Sequence, residues 1–232
     1  MTDDQQMACA SEMRVTRVAG IDPGFTSTAV VVLEEREYLP PAQISREVLV
    51  IEWQVFRTAK TKQKERSNLR VTNDDVRRYT EIFVGVRDML IGQRVRALGV
   101  EAYRVAPRFG RRKGPPGGQP AGEGAEGQDS GGAGAGAKTM AVYGGVLAVG
   151  VALGLYVTPW LPNDLKKRFT GRQSSSKEDV WESLCREVQG ASKMIDNCPK
   201  SLREHVGDAA GHAVLTLEEA RRIRKFVGGG AL

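Results

Sequence analysis

Four side chains stand where divalent-metal chemistry on a phosphate ester would need them. Asp22 ends the apolar run Val18-Ala-Gly-Ile and precedes Pro23-Gly24, so its carboxylate should emerge at a strand end. Glu101 closes a second apolar run, Leu98-Gly-Val. Glu204-His205-Val206-Gly207-Asp208 lies early in a helical stretch, and its i, i+3 spacing turns His205 and Asp208 onto one face. Hard cations such as Mg²⁺ prefer oxygen ligands and take few from the protein, because water and substrate phosphate complete the shell. Taken singly, each residue has an ordinary reading. An Asp before Pro-Gly is a turn residue, a lone Glu in a strand is a solvated position, and an HxxD pair is a local polar contact. His212, one turn beyond Asp208, reads as structural or local rather than as a ligand.

The elements that must position these groups are legible from periodicity. Arg14–Gly20 and Thr26–Leu33 flank the Asp22-Pro-Gly turn and read as a β-hairpin, with Glu47–Phe56 as a third strand. Asn73 caps a helix to Ile91, whose Val76, Ile82, Phe83, Val86, Met89 and Leu90 are spaced for one buried face. Val95–Tyr103 is a strand delivering Glu101. Met140–Val157 is 18 residues without a charge, at the lower limit for a membrane span. It reads instead as a buried helix from about Lys138 to Leu153, then a short strand 155–157 stopped by Pro159, with no membrane association. A helix over Ser174–Glu187 and a last one from near Ser201 to Phe226, with room for a break, complete the pattern. Strands first, then helices alternating with strands, predict an α/β fold, a mixed sheet flanked by helices.

The whole chain is 232 residues with 34 Lys+Arg against 28 Asp+Glu, a formal charge of +6. Its 41% apolar and 27% charged content is that of an ordinary globular protein. The 27 Gly are unevenly placed, since residues 110–137 hold 11 of them together with 3 Pro. Such a segment has little to bury and should be a flexible insertion, at about 108–137. Residues 1–13 read as a disordered tail, 14–227 as one interrupted domain and 228–232 as a second tail. Cys9, Cys185 and Cys198 form no zinc or disulfide pattern, and MTDDQQ is no signal peptide. A cytoplasmic or other reducing, DNA-containing compartment fits these features. Positive charge gathers in three places: the connector Arg57, Lys60, Lys62, Lys64, Arg66 and Arg70, the run Lys166, Lys167, Arg168, Arg172 and Lys177, and the final Arg221–Lys225 stretch. A cluster of this kind neutralises nucleic-acid phosphates, or is simply a solvated basic face.

The combination resembles a known family. Val18-Ala-Gly-Ile-Asp-Pro-Gly-Phe-Thr-Ser-Thr28 is similar to the first-strand motif of RuvC-type Holliday-junction resolvases, and Leu98-Gly-Val-Glu101 to their second acidic motif. Leu165-Lys166, Thr170-Gly171 and Ser175-Ser-Lys177-Glu-Asp-Val180 resemble the family's basic motif, and His205-Val-Gly-Asp208-Ala-Ala its last helix. The four motifs occur in the family's order. Two departures stand out: Ala29 follows the motif Thr28 where the family has Gly, and Arg104 replaces an aromatic three positions after the second acidic residue.

The resemblance implies a ribonuclease H-like fold, a homodimer, and metal-dependent symmetric cutting of four-way DNA junctions. It implies Asp22, Glu101, His205 and Asp208 as the catalytic, metal-holding residues around two Mg²⁺ ions, with Mn²⁺ an alternative. His205 would be a ligand or a proton shuttle. Lys166, Lys167, Arg172, Lys177 and Tyr103 would touch DNA; whether a branch-migration motor takes part stays open. Two other classes compete. A branched-DNA-binding protein of the same fold with little catalysis would share these motifs. An actin- or sugar-kinase-like phosphate-binding protein would share the Asp22-Pro-Gly-Phe-Thr turn, but the chain is short for that class and offers no second such turn.

Overall fold

The β-branched runs pair as their alternation demands. The computed structural model describes residues 12–39, 45–61, 71–102 and 133–226. In it β1 (Glu12–Asp22), β2 (Ser27–Leu39) and β3 (Ser45–Arg57) form an antiparallel meander, with Asp22 opposite Ala29 at the turn. β4 (Ala97–Glu101) and β5 (Tyr156–Trp160) add in parallel on the other side of β1, giving the order β3-β2-β1-β4-β5.

Successive residues of the central strands face opposite layers, so both faces are buried. Val18, Ala29, Val31 and Leu33 pack with α3 (Pro162–Thr170), α4 (Lys177–Glu187), α5 (Ala191–Asn197) and α6 (Arg203–Phe226). Ala19, Ile21, Val30 and Val32 pack against α1 (Val71–Gly92) and α2 (Ala133–Ala152).

Helix α6 lies unusually close to the sheet. Its inward positions include Ala209, Ala210 and Ala213, all fully buried. The strand positions beneath it are Gly20 and Gly99. A Cβ on Gly20 would stand 1.9 Å from the Ala209 carbonyl oxygen, and one on Gly99 would stand 2.0 Å from Thr216 Oγ1. Small residues on both sides bring the helix that carries Asp208 onto the strands that carry Asp22 and Glu101.

The structure corrects several sequence expectations. β1 already begins at Glu12, inside the expected tail, and α2 begins at Ala133, inside the expected insertion; the rest of both segments lies outside the described residues. Pro159 does not stop β5 but pairs with Val100 within it. Since β5 is an edge strand, the amide that proline lacks has no ladder partner to lose. The uncharged 140–157 stretch divides into α2 and β5, and no helix among the described residues is long and apolar enough to cross a membrane. The last helix is unbroken from Arg203, preceded by a 3₁₀ turn at Lys200–Leu202. Helices α3 and α5 had no counterpart in the periodicity.

Candidate metal centre

Asp22 and Glu101 reach one place because β1 and β4 are parallel neighbours. The register pairs Ile21 with Val100, so the two acidic residues end adjacent strands side by side. Asp208 comes down from the second turn of α6. One carboxylate oxygen from each of Asp22, Glu101 and Asp208 lies within 4.8 Å of the others, and all three residues are half-buried. Three hard oxygen donors in that span fit a Mg²⁺- or Mn²⁺-sized cation.

The turn after Asp22 is fixed by its own hydrogen bonds. Thr28 Oγ1 donates to the Gly24 carbonyl at 2.7 Å, and the Gly24 amide donates back to it at 3.3 Å. Thr58 ties the same loop to β3, its hydroxyl donating to the Phe25 carbonyl at 2.7 Å and its amide to that of Thr26 at 3.1 Å. Buried Arg78 of α1 donates to Thr58 Oγ1 at 3.0 Å and lies 3.8 Å from the centre of the Phe25 ring. The motif Thr28 therefore acts inside the turn, and the Thr58–Arg78 buttress is a feature that sequence patterning could not supply.

Each carboxylate has one basic neighbour. His205 Nδ1 is 2.5 Å from Asp22 Oδ2, His212 Nε2 is 3.3 Å from Glu101 Oε2, and Lys177 Nζ is 3.0 Å from Asp208 Oδ2. Lys177 also pairs with Glu204. It is placed by the start of α4, where Ser176 accepts from the Asp179 amide and Asp179 accepts from the Ser176 amide, each at 3.1 Å.

Burial drives the electrostatics of the acids. It pushes Asp208 up to about 6, against the opposing pull of Lys177. It also raises Asp22, which Glu101 raises further and the hydrogen bond to His205 pulls back. The His205 imidazole is raised by its bond to Asp22 more than burial lowers it. Burial alone would depress Lys177, but Glu204 and Asp208 outweigh it and raise the amine. Carboxylates held this high are short of positive charge, which a divalent cation would supply.

The structure thus brings together Asp22, Glu101 and Asp208, with His205 beside Asp22 and outside the group of three. Lys177, expected as a DNA contact, stands on Asp208. Lys167 and Arg172 are exposed and Lys166 half-buried. None of the three has a side-chain hydrogen-bond or ion-pair partner among the described residues. Arg168, in the same run, is instead committed to Glu218 at 2.6 Å and Glu187 at 2.7 Å. Tyr103 and the connector positions Lys62, Lys64, Arg66 and Arg70 lie outside the described residues. The contact missed from sequence is that of His212 with Glu101. The one available signal was that His212 follows His205 by seven residues, two turns along one helix face.

No protein-family model and no curated protein matches the chain. Among solved structures it is similar to the RuvC structure of Thermus thermophilus, at 19% identity and a TM-score of 0.55. It is similar also to T. thermophilus RuvC in complex with Holliday junction substrate, at 20% identity and 0.56. Each match covers 89% of this chain and 96% of the other. At that identity the likeness speaks for architecture, and it is clear: the chain has the ribonuclease H-like fold of RuvC.

Proposed function

We propose that the protein is a metal-dependent endonuclease that cuts branched DNA, with four-way junctions as its substrate. The observation that carries this reading is the convergence of Asp22, Glu101 and Asp208 from β1, β4 and α6 on a fold shared with RuvC. Asp22, Glu101 and Asp208 would hold the divalent ions, Mg²⁺ or Mn²⁺, two of them on a two-metal reading of the hydrolysis. When bound, such ions acidify water into a nucleophile and neutralise charge at the scissile phosphate. His205, hydrogen-bonded to Asp22 through Nδ1 and partly exposed, would accept or return a proton at Nε2, or act as a further ligand. Lys177 lies where it can exchange Asp208 for a phosphate oxygen. Lys166, Lys167 and Arg172 add sequence-independent phosphate contacts, and Tyr103, two positions after Glu101 in the sequence, is a further proposed DNA contact.

A homodimer supplies the two centres that paired cutting requires. The outer face of α2 suits a second copy, for it exposes Met140, Ala141, Gly144, Ala148 and Val151 with no charge from Thr139 to Ala152. A reducing, DNA-containing compartment belongs to the same reading, since branched DNA would be the substrate.

The test is incubation of purified protein with labelled four-way junction, linear duplex and flap DNA in Mg²⁺, Mn²⁺ or EDTA. Paired nicks on the junction that vanish in EDTA and in Asp22→Asn, with junction binding retained, are the expected result. Equal cutting of linear duplex would remove the junction specificity. Tight junction binding without cutting would leave a binding protein of the same fold, a reading favoured by the basic partners already seated on Asp22 and Asp208.

A further inference from the structure

His212 is the other histidine of the chain, and the reading of the metal centre gives it no task. It is fully buried in the middle of α6, yet it sits over the end of β4 rather than in the apolar packing. Its Nε2 faces Glu101 Oε2 at 3.3 Å, while its Nδ1 is buried with no hydrogen-bond partner. These two facts assign the ring. A proton on Nδ1 would bury an N–H with no acceptor, which is costly. A bare Nε2 would also turn its lone pair on a carboxylate. The less costly arrangement carries the proton on Nε2, which donates to Glu101 and leaves only the Nδ1 lone pair without a partner.

The surroundings hold that ring in place. The His212 carbonyl accepts from Thr216 Oγ1 at 2.8 Å, and Thr216 Oγ1 in turn accepts from Trp160 Nε1 at 2.9 Å. Trp160 pairs with Glu101 across β4 and β5, and its carbonyl accepts the Ala102 amide at 2.6 Å. Beneath this chain is Gly99, where a Cβ would strike both Thr216 Oγ1 and, at 2.8 Å, the His212 carbonyl oxygen. The end of β4 is therefore gripped by one turn of α6, with His212 on the acidic side chain and Thr216 on the neighbouring strand.

We propose that His212 is a positioning residue, whose Nε2–H orients the Glu101 carboxylate toward the cation held with Asp22 and Asp208. The role rests on the metal-centre reading. A buried donor of this kind fixes which oxygen of Glu101 points into the site, and loss of such a partner weakens metal binding by about 10- to 100-fold.

The test uses the full chain without DNA. Mn²⁺ affinity, read from the free-ion electron paramagnetic resonance signal, is compared for wild type, His212→Met, His212→Gln and Glu101→Gln. Met and Gln have similar length, but only Gln offers an N–H. His212→Met should bind Mn²⁺ at least tenfold more weakly, and His212→Gln should recover most of the loss. Thermal unfolding in EDTA reports whether each variant is folded. Equal affinities for wild type and a folded His212→Met overturn the proposal, as does His212→Gln binding no better than His212→Met. Long-range ¹H–¹⁵N spectra of the wild-type imidazole test it without mutation: an Nε2–H tautomer supports it, and an Nδ1–H tautomer overturns it. A wild type that takes up no Mn²⁺, or a Glu101→Gln variant that binds as wild type does, overturns the metal centre and the positioning role together.

Discussion

The two ends of the β1–β2 hairpin both bury acidic residues, and they treat them in opposite ways. Away from Asp22, Glu34, Glu35 and Glu37 are buried and saturated with arginine. Glu34 is met by Arg17 and Arg36, each at 2.8 Å, and Glu35 by Arg221 at 2.5 Å and Arg224 at 3.0 Å. Glu37 is met by Arg46 at 2.7 Å. At the other end, Asp22, Glu101 and Asp208 share one lysine and two histidines, and burial holds Asp22 and Asp208 above the ordinary carboxylate range. Positive charge built in permanently makes a clamp. Carboxylates left short of it suit the cation proposed for this site.

The sharpest way to break that contrast is to remove one acid from each end. Glu35→Gln strips two arginines of their partner in a buried setting and should destabilise the protein by about 3 kcal/mol. Chemical denaturation in EDTA measures it; a change near zero would mean that the clamp is not structural. The next largest effect belongs to the metal. At a hundredfold excess over its dissociation constant, Mn²⁺ should stabilise the wild type by about 2.7 kcal/mol. The same addition should leave Asp22→Asn unmoved, and an equal shift in that variant would place the ion elsewhere. Smaller and of opposite sign to the first is Asp208→Asn in EDTA. Removing a carboxylate that burial disfavours, while Lys177 keeps Glu204, should raise stability by about 1 kcal/mol.

The acidic centre was legible in the sequence because its residues stand at local landmarks and, in combination, resemble a known set of motifs. Asp22 stands between an apolar strand and Pro-Gly, Glu101 closes a strand, and His205 and Asp208 share a helical period. The first three strands followed from β-branched runs, and β4 and the start of β5 from short apolar runs. What stayed hidden depends on contacts between distant segments. His212 touches Glu101 across 111 positions, and only the close approach of α6 to Gly20 and Gly99 makes that possible. Pro159 looked like a stop because the sequence does not say that β5 is an edge. Helix α3 has few apolar residues to set a period, and its Lys166, Lys167 and Arg168 read as one basic run until Glu187 and Glu218 claimed Arg168. The arginine clamp was invisible too, since its partners lie on β1, β2, β3 and α6.

The clamp also predicts how the fold answers acid. Burial pushes Glu34 upward, but hydrogen bonds from Arg17 and Arg36 outweigh it and leave its carboxyl below the ordinary 4.5. Glu37 lies low for the same reason, with Arg46 the main donor against burial. A carboxylate whose folded value is depressed binds its proton more readily in the unfolded chain. Its contribution is therefore complete above about pH 4.5 and is lost as the pH falls through the folded value. Arg17 and Arg36 are each about a third exposed or more, so water screens the pair and the contribution of Glu34 is about 1 kcal/mol or less. Glu34→Gln should thus lower stability slightly at pH 7 and flatten its decline below pH 4.5, as read from denaturation midpoints across pH 3 to 7. A variant that kept the full acid-induced decline would show that Glu34 contributes no pH-dependent stability, and the clamp would then rest on Glu35 and Glu37.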